Sequence, residues 1–305
     1  MKLSVVINTK NAENTLEATL KSVKFADEII IVDMKSTDKT VDIASKYTDQ
    51  IFFHKDIGYV EPARNFAIKK AKGDWILIVD SDEEVPQNLK KALEGIIKSS
   101  EMGKETADCY YIPRKNLIFN KVIEKTGWWP DYVLRFFKKG YVSWSDEIHS
   151  IPITKGEVHE LPAVLDIALI HHNYQRVEQY LNRLNRYTGI QAAELNEEKE
   201  DFDGAFVVRK FYSEFLSRFF AQRGVNDGTH GLVLSLLQGF SESVVAIKAW
   251  ESTGFPESNG ESEEKTMAEL SLMNKELAYW IANWKVENST GFSRIIWKIR
   301  RKLYI

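Results

Sequence analysis

Two aspartates one residue apart, Asp80 and Asp82 in Asp80-Ser81-Asp82, directly follow the apolar run Trp75–Val79 (WILIV). Side chains two positions apart on an extended chain point the same way, so both carboxylates address one site. Hard oxygen ligands in that arrangement suit Mg2+ or Mn2+, ions that also bind diphosphates. The plainer use of such carboxylates is to cap the following helix. Asp33 ends a second apolar run, Glu28–Val32 (EIIIV), where a carboxylate can accept hydrogen bonds from a base N–H or a ribose hydroxyl. Ser36 and Asp38 behind it read as helix caps. Further on, Ser145-Asp146-Glu147-Ile148-His149 puts two carboxylates beside a histidine. A carboxylate at the mouth of a site can take the proton of an attacking hydroxyl, so Asp146 and Glu147 are candidate bases, against the alternative of a solvated acidic loop. His149 then either orients the base or joins a metal, and His171, leaving the strand-like Val164–Ile170, is the rival ligand. His172 reads as structural, and His54, His159 and His230 have no supporting neighbours. Arg135 follows Trp128-Trp129-Pro130-Asp131; these residues either clamp and stack on an acceptor or pack the second layer of the domain.

These residues need a scaffold that brings them together. Leu3–Asn8, Glu28–Val32, Gln50–Phe53 and Trp75–Val79 alternate with helical patterns at Glu13–Val23, Thr40–Tyr47 and Ala63–Lys72. That rhythm predicts an α/β fold, a mostly parallel sheet with helices on both faces. Ligands of such sheets gather beyond the carboxyl ends of the strands, where Asn8–Asn11, Asp33–Asp38 and Asp80–Glu84 all fall. The segment Asn8-Thr9-Lys10-Asn11 has no glycine, which argues against a dinucleotide fingerprint, a P-loop, or the Gly-rich turn of a sugar-phosphate nucleotidyltransferase. Residues 108–170 read as shorter strands and loops. From about 175 the pattern turns helical, with Val177, Leu181, Leu184, Thr188, Gln191 and Leu195 at helical spacing and an aromatic block following over 204–251.

The 305 residues are 44% hydrophobic and 28% charged with a net charge of −3, a globular composition that gives no sign of nucleic-acid binding. The single cysteine, Cys109, excludes an intramolecular disulfide and suits a reducing compartment. The sequence enters a strand within two residues, and no apolar stretch approaches the ~20 residues of a bilayer span. The expectation is a cytoplasmic protein, soluble or peripheral on the inner face of the membrane.

The series VVINTKN, EIIIVDMKSTDKT, ARNFAI and WILIVDSDEE resembles the family 2 glycosyltransferases, which have the GT-A fold, a Rossmann-like sheet. WWPDYVLRFFKKG, SDEIHS and ALIHHNY–LNRLNRYT extend the resemblance over about residues 1–250, toward bacterial lipopolysaccharide-core β-glucosyltransferases. The resemblance implies a metal-dependent, inverting transfer of a sugar from a nucleotide-diphosphate donor, UDP through Asp33, to a glycan or lipid-linked acceptor. It also implies that Thr9, Asn11 and Asp33 contact the nucleoside, that Arg64 lies by the donor phosphates or base, and that Asp80 and Asp82 are the Asp-x-Asp pair, with Asp82 the direct metal ligand. Related sequences carry Glu where this one has Ser150, which leaves the base assignment open between Asp146 and Glu147. A nucleotidyltransferase and a non-catalytic, membrane-attached sugar-nucleotide-binding scaffold are the competing readings.

The expected organisation is a catalytic domain over 1–175, with nucleotide-sugar binding in 1–100 and the acceptor side in 101–175. A helical extension follows over 176–254, then a polar linker over 255–264 (FPESNGESEE from Phe255), then helices and a basic tail over 265–305. Leu270, Met273, Leu277, Trp280 and Trp284 form a coiled-coil-like seam that serves either a homodimer or packing on the chain's own helices. The tail from Ser293 mixes Arg294, Lys298, Arg300, Arg301 and Lys302 with large apolar residues, the pattern of a helix lying on an anionic membrane.

Overall fold

Every residue of Leu3–Thr9 (β1) is buried, as expected of a strand covered on both faces. The computed structural model describes residues 1–56, 60–145, 151–197, 203–256 and 260–303. In it β1 pairs in parallel with Glu28–Asp33 (β2), which carries Ile51–Phe53 (β3) on its outer edge, and with Trp75–Ile78 (β4) on the other side. The crossovers are the helices Leu16–Ser22 (α1), Thr40–Ala44 (α2) and Glu61–Lys70 (α3). Alternation along the strands feeds two core layers. Val5, Ile7, Ile31 and Leu77 pack with Leu16 and Leu20 of α1 and with Leu89 and Leu93 of Gln87–Glu101 (α4). Val6, Ile30, Val32, Ile76 and Ile78 pack with Ala63 and Ala67 of α3.

Beyond β4 the sheet is no longer parallel. Glu83–Glu84 (β5) follows the Asp80–Asp82 turn, Cys109–Ile118 (β6) leads into the short Lys121–Val122 (β7), and Asp131–Lys138 (β8) returns antiparallel to both β6 and β4. The strand order is β3-β2-β1-β4-β8-β6, continuing through Leu169–Tyr174 (β12) to β5, while Val142–Ser143 (β9) and Ile153–Thr154 (β10) pair separately and Val158–Glu160 (β11) joins β6 in parallel. The expected parallel character therefore holds for the first four strands and gives way to a mixed sheet. No helix lies between β6 and β8, and a parallel return usually needs a helical crossover. Where a strand was expected over Val164–Ile170, Leu165–Ile167 is a 3-10 turn and the strand begins at Leu169, so His171 lies inside β12.

The chain divides into two compact units, one of Met1–Val122 with Trp128–Asn173, the other of Ile123–Gly127 with the residues from Tyr174 onward. The second unit is helical: Val177–Glu197 (α5), Gly204–Leu216 (α6), Thr229–Ser252 (α7), Gly260–Glu287 (α8) and Gly291–Leu303 (α9). α7 packs on α5 and α6, α6 on α8, and α8 on α9. Asp203 caps α6 by accepting from the Phe206 N–H. The stretch expected as a linker is helical from Gly260, because Glu261 and Glu263 suit the positive end of a helix dipole. Of the seam expected to serve either a homodimer or the chain's own helices, Met273 is buried and Trp280 stacks on Phe220, ring centroids 5.8 Å apart, while Leu270 stays exposed. α7 also corrects the expectation about apolar length, since among the described residues it is long and apolar enough to cross a membrane. Its small residues pack closely in the unit; a Cβ on Gly239 would meet the Phe211 carbonyl oxygen at 2.8 Å.

Phe136 is fully buried and stacks on Trp75 at 4.5 Å, with Tyr110 alongside at 5.8 Å, where the parallel and antiparallel halves of the sheet meet. Phe136→Ala should cost about 3–5 kcal/mol of stability, read from the midpoint of urea unfolding.

Candidate active site

The carboxyl ends of β1, β2 and β4 open at one edge of the sheet, with Thr9 beside Asp33 in register. Asp33 is buried and accepts from the Ser36 N–H at 2.9 Å and the Ser36 hydroxyl at 2.5 Å. Asn11 adopts φ 49°, a conformation asparagine tolerates, and its Oδ1 accepts from the Thr37 N–H at 2.8 Å while its own N–H donates to Ser36 Oγ at 2.8 Å. The two loops are thus fastened to each other. Behind them Thr9 Oγ1 and both amide atoms of Asn8 are buried with no partner. Buried polar groups without partners are costly, so this edge presents donors and acceptors prepared for a ligand. The sequence placed Asn8 in the Asn8–Asn11 segment at this edge but gave it no role of its own.

Asp80 is held by two arginines. Its Oδ1 accepts from Arg64 Nη2 at 3.0 Å, and its Oδ2 is paired with Arg135. Arg64 comes from α3 and Arg135 from β8. Arg135 also lies 3.6 Å from Glu83, which is fully buried, takes the Asp80 N–H at 2.9 Å and pairs with Arg114 of β6 at 3.1 Å. Arg114 in turn reaches Asp131, its register partner across β6 and β8, at 2.7 Å. Three carboxylates and three guanidiniums therefore form one cluster. Burial alone would raise the Asp80 pKa, but Arg135, Arg64 and Arg114 outweigh it and hold the carboxyl well below the ordinary carboxylate range. Burial depresses the Arg64 pKa, against the pull of Asp80. Burial would also depress Arg114, but Glu83 and Asp131 prevail and raise it above its ordinary value.

Both oxygens of Asp80, expected as a metal ligand, face guanidinium groups here. Among the described residues no group of three or more His, Cys, Asp and Glu side chains is set to hold a metal. Asp82 is 38% exposed, and its Oδ2 lies 3.5 Å from His171 Nε2. The neighbour arises because β5 pairs antiparallel with β12, His171 opposite Glu83, and the His172 N–H bonds the Asp82 carbonyl at 2.9 Å. His171 Nδ1 sits 2.6 Å from Asn116 Oδ1, a contact that orients the ring and turns Nε2 toward Asp82. A carboxylate and an oriented imidazole fit part of a divalent-ion donor set. His172 pairs with Glu84 at 2.6 Å, the structural use expected of it.

The proposed bases Asp146 and Glu147, with His149, lie outside the described residues. The residues just before them are anchored, since Asn65 of α3 exchanges two hydrogen bonds with the Trp144 backbone, at 2.8 and 3.0 Å. The sequence missed Glu83, Arg114 and Asn116, and it left Arg135 open between an acceptor clamp and packing. An arginine within the apolar run Val133–Phe137 (VLRFF) was the available signal, because a charge on a buried strand must have a partner.

A carboxyl group held below its ordinary pKa adds stability above its unfolded value of about 3.9, and that stability is lost as pH falls through the folded value. Stability should therefore decline on acidification below about pH 4. Asp80→Asn should cost about 3–5 kcal/mol at pH 7 and flatten this acid limb, as measured by urea unfolding at several pH values.

Residues 4–150 match the family model described as Glycosyl transferase family 2. The chain is 30% identical over 259 residues to an uncharacterised glycosyltransferase of Rickettsia bellii, covering 82% of this chain and 86% of that one. It is 39% identical over 97 residues to the poly(ribitol-phosphate) β-glucosyltransferase of Bacillus spizizenii, covering 28% of this chain and 15% of that protein. The crystal structure of Staphylococcus aureus TarS 1–349 is 15% identical, covers 100% of this chain and 90% of that one, and superposes with a TM-score of 0.41. On the family match and the extent of its likeness to the Rickettsia protein, the chain belongs to glycosyl transferase family 2 and is a glycosyltransferase.

Proposed function

We propose that this glycosyltransferase takes its sugar from a nucleoside-diphosphate donor, UDP in the first instance, and passes it with inversion to a hydroxyl of a cell-envelope glycan or lipid-linked glycan. The observation that carries the proposal is the convergence at one sheet edge of the unpartnered Asn8 and Thr9, the buried Asp33, the arginine-held Asp80 and the Asp82–His171 pair. Asn8, Thr9, Asn11 and Asp33 accept the nucleoside. Arg64 and Arg135 each have a buried Nε without a partner, and they add positive charge where a diphosphate lies. Asp82 and His171 would hold a divalent cation, Mn2+ or Mg2+; when bound, such an ion offsets charge on the leaving group. Asp146 or Glu147 takes the proton of the acceptor hydroxyl as its oxygen attacks the anomeric carbon and the bond to the diphosphate oxygen breaks. The Bacillus relative, named for β-glucosyl transfer to poly(ribitol-phosphate), supports a polyhydroxyl envelope acceptor.

Release of nucleoside diphosphate from a panel of nucleotide sugars tests the donor class, whereas nucleotidyl transfer would release pyrophosphate. EDTA should abolish release and Mn2+ restore it. Asp82→Asn should lower kcat/KM by about 10²-fold or more with an unchanged melting temperature and weaker Mn2+ binding by electron paramagnetic resonance. Full activity of Asp82→Asn in chelator overturns the metal assignment.

The base is tested separately. Asp146→Ala or Glu147→Ala, whichever removes it, should lower turnover by about 10²–10⁴-fold while leaving the donor KM nearly intact. Normal turnover in both variants places the base elsewhere.

A further inference from the structure

The helix α9 is turned the wrong way round for an aqueous surface. At 3.6 residues per turn, Phe292, Ile295, Ile296, Ile299 and Leu303 share an arc of about 100°. All five are exposed, from 40% for Ile296 to 77% for Phe292. The side of α9 that meets α8 is the opposite one. Arg301 Nη1 donates to Asn283 Oδ1 of α8 at 2.7 Å, and Lys285 of α8 lies over the Trp297 ring at 5.9 Å. Trp297 and Arg301 are the two residues of α9 that are only partly exposed. An ordinary surface helix buries its apolar stripe and shows water its charges; here a polar side faces the protein and the apolar stripe faces out.

The charges flank that stripe. Lys298 and Lys302 project along one edge and Arg300 along the other, with Arg294 on the side toward α8, and α9 contains no Asp or Glu. We propose that α9 docks this chain on an anionic lipid bilayer, with its isoleucines, Phe292 and Leu303 in the headgroup–acyl boundary and its cations reaching out to lipid phosphates. Long basic side chains beside an apolar face suit that depth, their stems in hydrocarbon and their heads in water. Charge complementarity decides the occupant. A second copy of α9 laid against the first would line up two sets of cations with no carboxylate on either helix to offset them. An anionic membrane offsets them and attracts the chain before contact. This goes beyond the catalytic proposal and is independent of it.

Flotation of the full chain with vesicles tests the docking. Vesicles of phosphatidylcholine with about a third phosphatidylglycerol should carry at least about tenfold more protein than phosphatidylcholine alone, and raising NaCl to about 0.5 M should reverse most of the difference, since screening shortens the reach of the charges. Ile295→Asp with Ile299→Asp should abolish flotation, and Lys298→Gln with Lys302→Gln should weaken it several-fold, both with the thermal unfolding of the unsubstituted chain. Flotation that is absent, indifferent to anionic lipid, or unchanged in the isoleucine variant overturns the proposal. So does a dimer in lipid-free sedimentation that this variant dissolves without any vesicle binding by the unsubstituted chain, which would make the face a contact between copies.

Discussion

Glu83 has no exposed side-chain surface and answers to two arginines, one from β6 and one from β8, while also accepting the Asp80 N–H. An isolated carboxylate in that position would cost several kcal/mol to desolvate, and each arginine would cost as much again. The cluster is tolerable only when complete: Asp80 and Glu83 after β4, Arg114 on β6, Asp131 and Arg135 on β8, and Arg64 on α3. Satisfying it fixes the first residue of the Asp-x-Asp turn against the antiparallel half of the sheet and against α3. The position of the site thus depends on an electrostatic requirement as much as on the apolar core beneath it.

The cluster also separates the two aspartates by role. Asp80 and Asp82 look equivalent as a motif, yet one is enclosed by guanidinium groups and the other is exposed beside an imidazole. In the proposed function Asp80 keeps arginines close to where a diphosphate would lie, and Asp82 is the carboxylate left available to a cation. Proximity of His171 to Asp82 follows from the two-residue ladder between β5 and β12, and Asn116 orients its ring from β6. The nucleoside side is organised differently, by neutral hydrogen bonds among Asn11, Ser36, Thr37 and Asp33 that fasten one loop to the next.

The helical unit raises a different physical question, since several of its faces are apolar for different reasons. α7 is apolar nearly all round: Leu234, Val245, Ala246 and Ala249 are buried, while Leu232, Leu236, Phe240 and Ile247 stay exposed. α8 turns Met273, Ala282 and Val286 inward. α9 combines an exposed apolar stripe with flanking cations. Apolar residues run through all three in the sequence, and only the packing tells which of them are buried and which are offered outward.

The β-branched runs Leu3–Asn8, Glu28–Val32 and Trp75–Val79, spaced by helical periods, determined the parallel half of the sheet, because local propensity and burial on both faces agree there. That the carboxyl ends of those strands would gather Thr9, Asn11, Asp33, Asp80 and Asp82 followed from the topology of any such sheet. The antiparallel return of β8 was not legible, since short strands of similar composition pair either way and the decision lies in the connection between them. Nor were the arginines of the cluster around Asp80 legible. Arg64, Arg114 and Arg135 lie 16, 34 and 55 residues away in the chain, and a long-range ion pair leaves no periodicity in the sequence to read. Tertiary structure alone decided which aspartate is neutralised and which is left for a ligand, because that depends on the charges folding brings within about 4 Å and on how little water remains between them.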